Sequence, residues 1–267
     1  MKQNYLHQLK QKPVLLLLGT VLITVLLYKS SVHNGWLNIG PDDQLGLWGD
    51  PAVINHDWKK LLFNFNMWSS AWFARLITGI ATYVFGLTPT VIHTTALFIF
   101  CLDLIIFYFL LLEIRNYFPN IKQIVSDENK NIWAIITVTL VGISPINVEG
   151  LCFASASIPA TLVAGTSALT ILAFLKGNKQ LSLFFLILAC GSKQNAVMLP
   201  VVTGILYLCK TQNGFNVLKS TNAMIEFVKT HFVFFLVSLF FGYIAILARE
   251  STEPLVKVFF PDINGKI

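Results

Sequence analysis

The sequence predicts an all-α membrane protein, a polytopic bundle of transmembrane helices that forms a single domain over residues 1–267. Hydrophobic residues make up 55% of the chain, charged residues only 12%, and the mean hydropathy is +0.68. A soluble domain of this length cannot bury so much apolar surface, because its helices must each keep one face wet. The apolar residues also fall in runs that approach the roughly 20 residues a helix needs to cross a bilayer.

The first predicted element is the apolar run 13–28, which follows a basic start at Lys2, Lys10 and Lys12. A cleaved signal peptide would need small residues at the cut site, and the stretch 29–33 has no such pattern. We therefore expect an uncleaved anchor that is also the first span, with its N-terminus in the cytoplasm and its body in the plasma (inner) membrane.

Seven later apolar runs could also cross the membrane: 71–87, 90–112, 132–148, 158–175, 181–192, 196–209 and 230–248. If all of them cross, seven lysines and arginines lie in the cytoplasm and eleven outside. If 71–87 does not cross, the count becomes eleven inside and seven outside. Cytoplasmic loops carry the excess of positive charge, so this rule favours about seven spans, with eight as the alternative.

The seven-span arrangement predicts a large first extracytoplasmic loop over 29–89 that carries juxtamembrane helices, interfacial or re-entrant. The remaining spans then occupy 90–248, and 249–267 forms an outer tail. The same arrangement puts loop 29–70, the connection 144–157 and the turn 192–195 on the outer side.

The outer loop contains the adjacent carboxylates Asp42 and Asp43 and five of the six tryptophans. Tryptophan favours the membrane interface, so the loop is expected to lie on the headgroup layer. One carboxylate could act as a general base on an acceptor hydroxyl while its neighbour orients groups or holds a divalent cation. The alternative is that Pro41-Asp42-Asp43 is simply a turn.

Four ionisable residues stand within or beside the predicted spans: Arg75, His93, Asp103 and Glu149. Charged groups at this depth are costly and usually face a cavity or a partner. Arg75 and Lys193 are candidate ligands of a phosphate, with extension of Arg75 to the interface as the alternative. For His93 the alternative is a packed polar contact, and for Asp103 a hydrogen bond to a neighbouring helix.

Several other classes are disfavoured. The four cysteines lie in apolar runs without CxxC spacing, and the five histidines form no HExxH pair, so no metal site is predicted from them. The chain contains neither a Walker A motif nor GxGxxG, and its basic residues do not alternate with aromatic ones as in nucleic-acid-binding proteins.

Four short motifs resemble, in order, those of the GT-C superfamily, membrane glycosyltransferases that use polyprenyl-phosphate sugars. The resemblance is to the tetratricopeptide-type O-mannosyltransferases and to bacterial O-antigen glucosyltransferases. The motifs are Pro41-Asp42-Asp43, Phe85-Gly86-Leu87-Thr88-Pro89 with His93, Ser144-Pro145-Ile146-Asn147-Val148-Glu149, and Ser192-Lys193-Gln194-Asn195. This chain has Pro41 and Gln194 where the family has tryptophan and an acidic residue.

The resemblance implies that Asp42 or Asp43 is the catalytic base, without saying which. It implies that Arg75 and Lys193 bind the phosphate of the donor, and that Glu149 and His93 support the site. The acceptor would be a cell-surface glycan, a lipid or a protein, and a partner subunit could take part. Two alternatives stay open: a non-enzymatic membrane protein, such as a lipid-linked-sugar transporter or assembly subunit, and a truncated inactive member of the family.

Overall fold

The computed structural model of the chain describes residues 12–33, 51–63, 71–145, 147, 151, 154–210 and 221–259. Within these ranges the secondary structure is helical, without a β-strand. The α-helices, in chain order, are α1 (Pro13–Tyr28), α2 (Pro51–Ile54), α3 (Trp58–Phe63), α4 (Trp72–Phe85), α5 (Pro89–Tyr117), α6 (Pro119–Ile124), α7 (Lys130–Gly142), α8 (Ala154–Leu175), α9 (Lys179–Ser192), α10 (Leu199–Lys210) and α11 (Thr221–Phe259). Short 3₁₀ turns follow α1 at Lys29–His33 and α9 at Gln194–Met198.

Proline sets the ends of several helices. The predicted run 132–148 forms the shorter α7, which ends at Gly142, three residues before Pro145. The run 90–112 forms the longer α5, which ends at Tyr117; its C-cap Phe118 is extended and precedes Pro119. The residue before a proline disfavours helical backbone, so a helix usually ends at or before it.

Four described helices are long and apolar enough to cross a membrane: Pro13–His33, Pro89–Tyr117, Ser157–Leu175 and Phe227–Ile246. Four others are apolar but shorter: Trp72–Phe85, Lys130–Gly142, Lys179–Ser192 and Gln194–Cys209. The expected all-α membrane bundle is thus confirmed at the level of its helices.

The core forms around α5, whose buried residues Ile92, Ala96, Phe100 and Leu104 recur every four positions. Such spacing lines one face of a helix. This face packs against Tyr28 at the end of α1, and against residues of α7 and α8 in the same cluster. The helix α5 therefore holds α1, α7 and α8 together.

Side-chain contacts fix the directions of the first helices. Thr20 lies 2.8 Å from Thr139 between the hydroxyl oxygens, and the Tyr28 hydroxyl donates to the carbonyl of Ser144 at 2.9 Å. From the first contact to the second, the residue number increases on both sides, so α1 and α7 run parallel. The helix α5 runs antiparallel to α7, because its later residue Tyr108 donates to Asn131 at the start of α7.

The next two helices continue the pattern. His93 near the start of α5 contacts Leu151 just before α8, and Leu110 further along packs with Ala168, so α5 and α8 run parallel. The helix α9 returns antiparallel to α8, with the Ser182 hydroxyl donating to the carbonyl of Thr170 at 2.8 Å. The last residues of α1, α7 and α9 and the first of α5 and α8 therefore share one end of the bundle, which we call the Tyr28 end.

At the opposite end, the buried Arg115 closes the connection between α5 and α7. Its Nε donates to the Val125 carbonyl and its Nη1 to Asp127, each at 2.9 Å. The hydrogen bond and the charge of Arg115 lower the pKa of the exposed Asp127. The helix α6 is thereby folded back onto the end of α5.

The helices α4 and α5 form an antiparallel hairpin with a three-residue connection, 86–88. Gly86 ends α4 with φ 87° and ψ 157°, a conformation that other residues rarely adopt. The Thr88 hydroxyl caps α5 by accepting the N–H of Val91 at 3.3 Å, and Pro89 occupies the first turn. Glycine after one helix and Thr-Pro before the next are common boundary residues.

Candidate functional site at the Tyr28 end

The structure describes three of the six predicted site residues. Arg75, His93 and Lys193 lie on α4, on α5 and directly after α9. The predicted catalytic pair Asp42 and Asp43 lies outside the described residues, as does Glu149. The structure therefore describes the predicted phosphate-binding residues Arg75 and Lys193 and the supporting residue His93, but not the predicted base.

Arg75 lies in the first turn of α4 and is fully buried. Its Nη2 donates to the backbone carbonyl of Lys60 in α3 at 3.5 Å. None of the residue is exposed, so the side chain reaches no open surface of the described structure. Its extension toward the lipid–water interface stays the alternative raised by the sequence. A buried guanidinium is a strong binding group, since its donors act in surroundings that screen charge weakly.

The helices α2 and α3 form a cover over α4. His56 and Trp58 contact Tyr83 with ring centroids 5.2 and 5.8 Å apart. Asp57 begins α3: its carboxylate accepts the backbone N–H of Lys60 and forms an ion pair with that residue's Nζ at 3.0 Å. These interactions with Lys60 lower the pKa of Asp57, which stays partly exposed.

His93 is buried in α5, and its Nδ1 lies 3.0 Å from the carbonyl oxygen of Leu151. A carbonyl can only accept, so Nδ1 donates the proton of this hydrogen bond. The contact ties the start of α5 to the segment that leads into α8. Glu149 lies two residues before Leu151 in the sequence.

Lys193 is exposed and extended (φ −157°) between the end of α9 and the 3₁₀ turn. Two residues earlier, Gly191 packs directly against the Trp72 indole, so closely that a Cβ at residue 191 would overlap the ring. This contact joins the start of α4, which carries Arg75, to the end of α9, which carries Lys193. The sequence motifs alone give no sign of it, because a glycine next to Ser192 can serve many purposes.

All three described site residues thus lie on elements that meet at the Tyr28 end. The site residues outside the described ranges adjoin described residues in the sequence. Asp42 and Asp43 belong to 34–50, which follows His33, and Glu149 belongs to 148–150, between Asn147 and Leu151. Arg75 and His93 each contact a backbone carbonyl, and a sequence pattern cannot reveal such a partner.

Asp103, at mid-length in α5, does not belong to this group. It is buried against α8, where a Cβ at residue 165 would overlap its carboxyl group. Its Oδ2 has no hydrogen-bond partner among the described residues, so that oxygen does not form the expected bond between helices. Among the same residues, no cluster of three or more His, Cys, Asp or Glu could hold a metal ion.

Fold and helix composition define the class of this protein: an all-α membrane protein with a polar group of residues at one end of its bundle. No protein family, curated protein or solved structure matches the chain.

Proposed function

We propose that the chain is an inverting membrane glycosyltransferase of the GT-C type that moves a sugar from a polyprenyl-phosphate carrier to an acceptor hydroxyl. The observation that carries the proposal is the position of Arg75, His93 and Lys193 on elements that meet at one end of the bundle. These residues are far apart in the sequence, and the resemblance assigns all of them to one site. Grouping at one end suits an enzyme better than a transporter, whose substrate site usually lies near the middle of the membrane.

The reaction is a single displacement. The acceptor oxygen attacks the anomeric carbon, the bond from that carbon to the phosphate oxygen breaks, and polyprenyl phosphate leaves with the bonding electrons. Asp42 or Asp43 accepts the proton of the acceptor hydroxyl, and the attack inverts the anomeric centre. Arg75 and Lys193 offset the charge of the departing phosphate, as preorganised cations do in other group transfers.

The proposal includes seven spans, with the Tyr28 end on the outer side of the plasma membrane. The parallel course of α1 and α7 supports this number. With α4 as a non-crossing helix, α7 is the third span and must run parallel to the first. With eight spans α7 would be the fourth and would run the opposite way. The excess of lysine and arginine in the cytoplasm supports the same arrangement.

Substitution of the two carboxylates tests the proposed chemistry. Membranes containing the full chain with Asp42→Asn or Asp43→Asn are supplied with a radiolabelled polyprenyl-phosphate sugar, and transfer to endogenous acceptors is measured. Loss of the base should lower the rate by about 10²- to 10⁴-fold, whereas loss of the helper should cost less.

Asp57→Asn is the matched control, because Asp57 belongs to the same predicted loop but is engaged by Lys60. It should leave the transfer rate within about twofold of the unchanged chain, as expected of an exposed ion pair. Unchanged transfer in both the Asp42 and the Asp43 variants would remove the enzyme proposal.

A further inference from the structure

An apolar groove of about 660 Å³ runs between the two helices of the α4–α5 hairpin and reaches α8. It belongs to neither the buried Arg75 nor the exposed Lys193. The residues that line it include Ile77, Ala81 and Phe85 of α4, Val91 and Phe98 of α5, and Leu162 of α8. Its volume lies within the range of small-molecule sites, roughly 300–1,000 Å³.

The groove has almost no polar surface. Three threonines, Thr90, Thr94 and Thr95, supply the only polar side chains among its described lining residues. The hydroxyl of Thr95 already donates to the Val91 carbonyl at 2.7 Å. Since none of these lining residues is charged, the groove offers no ion pair to a phosphate or a carboxylate. The part of a ligand that fits here is hydrocarbon.

The groove opens onto an apolar surface. Its lining residues Ile80 and Phe85 are 45% and 73% exposed, and Tyr83 and Val84 on the same helix are exposed beside them. In a protein with several apolar helices of membrane-spanning length, lipid covers such a surface at a lower cost than water does. A lipid chain can therefore enter the groove from the side.

The size of the groove argues against a helix of a second copy as its occupant. A helix with side chains is about 10 Å across, so it would fill 660 Å³ within roughly 8 Å, less than two turns. A single hydrocarbon chain is much narrower and can follow the groove along its length.

The absence of charge also separates two kinds of lipid. A rare anionic carrier needs a cation beside its chain to be selected from the bilayer, and the guanidinium of Arg75 is buried against Lys60 instead of lining the groove. An abundant bilayer lipid needs no such selection. We infer that the groove between α4 and α5 binds one acyl chain of a bilayer phospholipid, which fills the space between the two helices.

The inference is tested with the full chain in nanodiscs that contain phosphatidylcholine with a diazirine in one acyl chain. After photolysis and digestion, mass spectrometry locates the labelled peptides. The helix α1 is an internal reference, because its exposed Leu18 and Leu22 report ordinary contact with the bilayer. Labelling of residues 72–99 should exceed that of α1 in the unchanged chain.

Two variants fill the groove from opposite walls: Ala81→Phe from α4 and Thr94→Phe from α5. Each should reduce the labelling of residues 72–99 to the level of α1. Val84→Phe is the matched control, because Val84 is exposed on α4 but does not line the groove. It should leave the labelling of the hairpin unchanged. The α1 labelling and the elution volume show whether each variant is folded.

Three results would overturn the inference. The first is hairpin labelling in the unchanged chain that does not exceed that of α1, which requires no variant to fold. The second is labelling that persists in a folded groove-filled variant. The third is a hairpin that a diazirine-labelled polyprenyl phosphate labels at the same mole fraction while phosphatidylcholine does not, since this would assign the groove to the carrier.

Discussion

The contact between Asp103 and Gly165 joins the parallel helices α5 and α8. Asp103 is 2% exposed, and its carboxyl group occupies the space that a side chain at residue 165 would need. Burial of a carboxyl group at this depth is costly. The sequence shows the unusual aspartate, but it cannot show that a glycine 62 positions later on another helix makes room for it.

Gly165→Ala should therefore destabilise the protein by about 1–3 kcal/mol, the usual cost of overpacking a core. The measurement is the thermal unfolding temperature in detergent. Gly19→Ala is the control, because a Cβ at residue 19 meets no atom within 4 Å, and it should be neutral or slightly stabilising. In the double variant with Asp103→Ala, the loss from Gly165→Ala should largely disappear; strictly additive losses would contradict the proposed contact.

At the scale of elements, the α4–α5 hairpin depends on the backbone at Gly86. The local sequence Phe-Gly-Leu-Thr-Pro predicts a boundary, because glycine often follows a helix and Thr-Pro often starts one. The count of lysines and arginines on the two sides, and not the length of the run, predicts that the helix before this boundary does not cross. The sequence could not predict the groove, because a groove results from the packing of three helices and not from the pattern of one.

Gly86→Ala should loosen this hairpin. The observed backbone (φ 87°, ψ 157°) is almost restricted to glycine, and other residues pay about 1–3 kcal/mol to adopt it. A Cβ at residue 86 meets no atom within 4 Å, so the cost is a backbone cost alone. Hydrogen exchange should become faster in residues 72–99 and stay unchanged in α9.

Gly242→Ala provides the comparison for this hairpin, because residue 242 is also free of close contacts but lies within α11. It should leave exchange in residues 72–99 unchanged. Equal exchange in the Gly86→Ala variant and the unchanged chain would show that the turn does not depend on this conformation.

At the scale of the whole molecule, composition and the length of the apolar runs are sufficient to predict an all-α membrane protein. Lipid tolerates so much apolar surface, and runs of this length suit helices that cross it. The predicted seven spans imply the directions of the helices, but the sequence could not predict which helices pack together. That packing depends on side-chain pairs such as Tyr28 with Ser144, which are 116 positions apart. The site could be predicted in part. Its candidate residues can be recognised in the sequence as motifs, whereas their position at one end of the bundle follows from the packing of the helices.

The parallel course of α1 and α7 gives a topology that labelling can test. In a variant without native cysteines, single cysteines replace Lys12 before α1, Lys122 in α6 and Asn195 after α9, and a membrane-impermeant maleimide is added to intact cells. Seven spans require positions 12 and 122 on one side and 195 on the other, with 195 labelled from outside. Eight spans would put 12 and 122 on opposite sides, whichever way the chain is inserted.

Cysteine in place of the exposed Asn178, between α8 and α9, is the control and should behave like position 122. Labelling that separates positions 12 and 122 would mean that α4 crosses the membrane, and it would contradict the parallel pairing of Thr20 with Thr139 and of Tyr28 with Ser144.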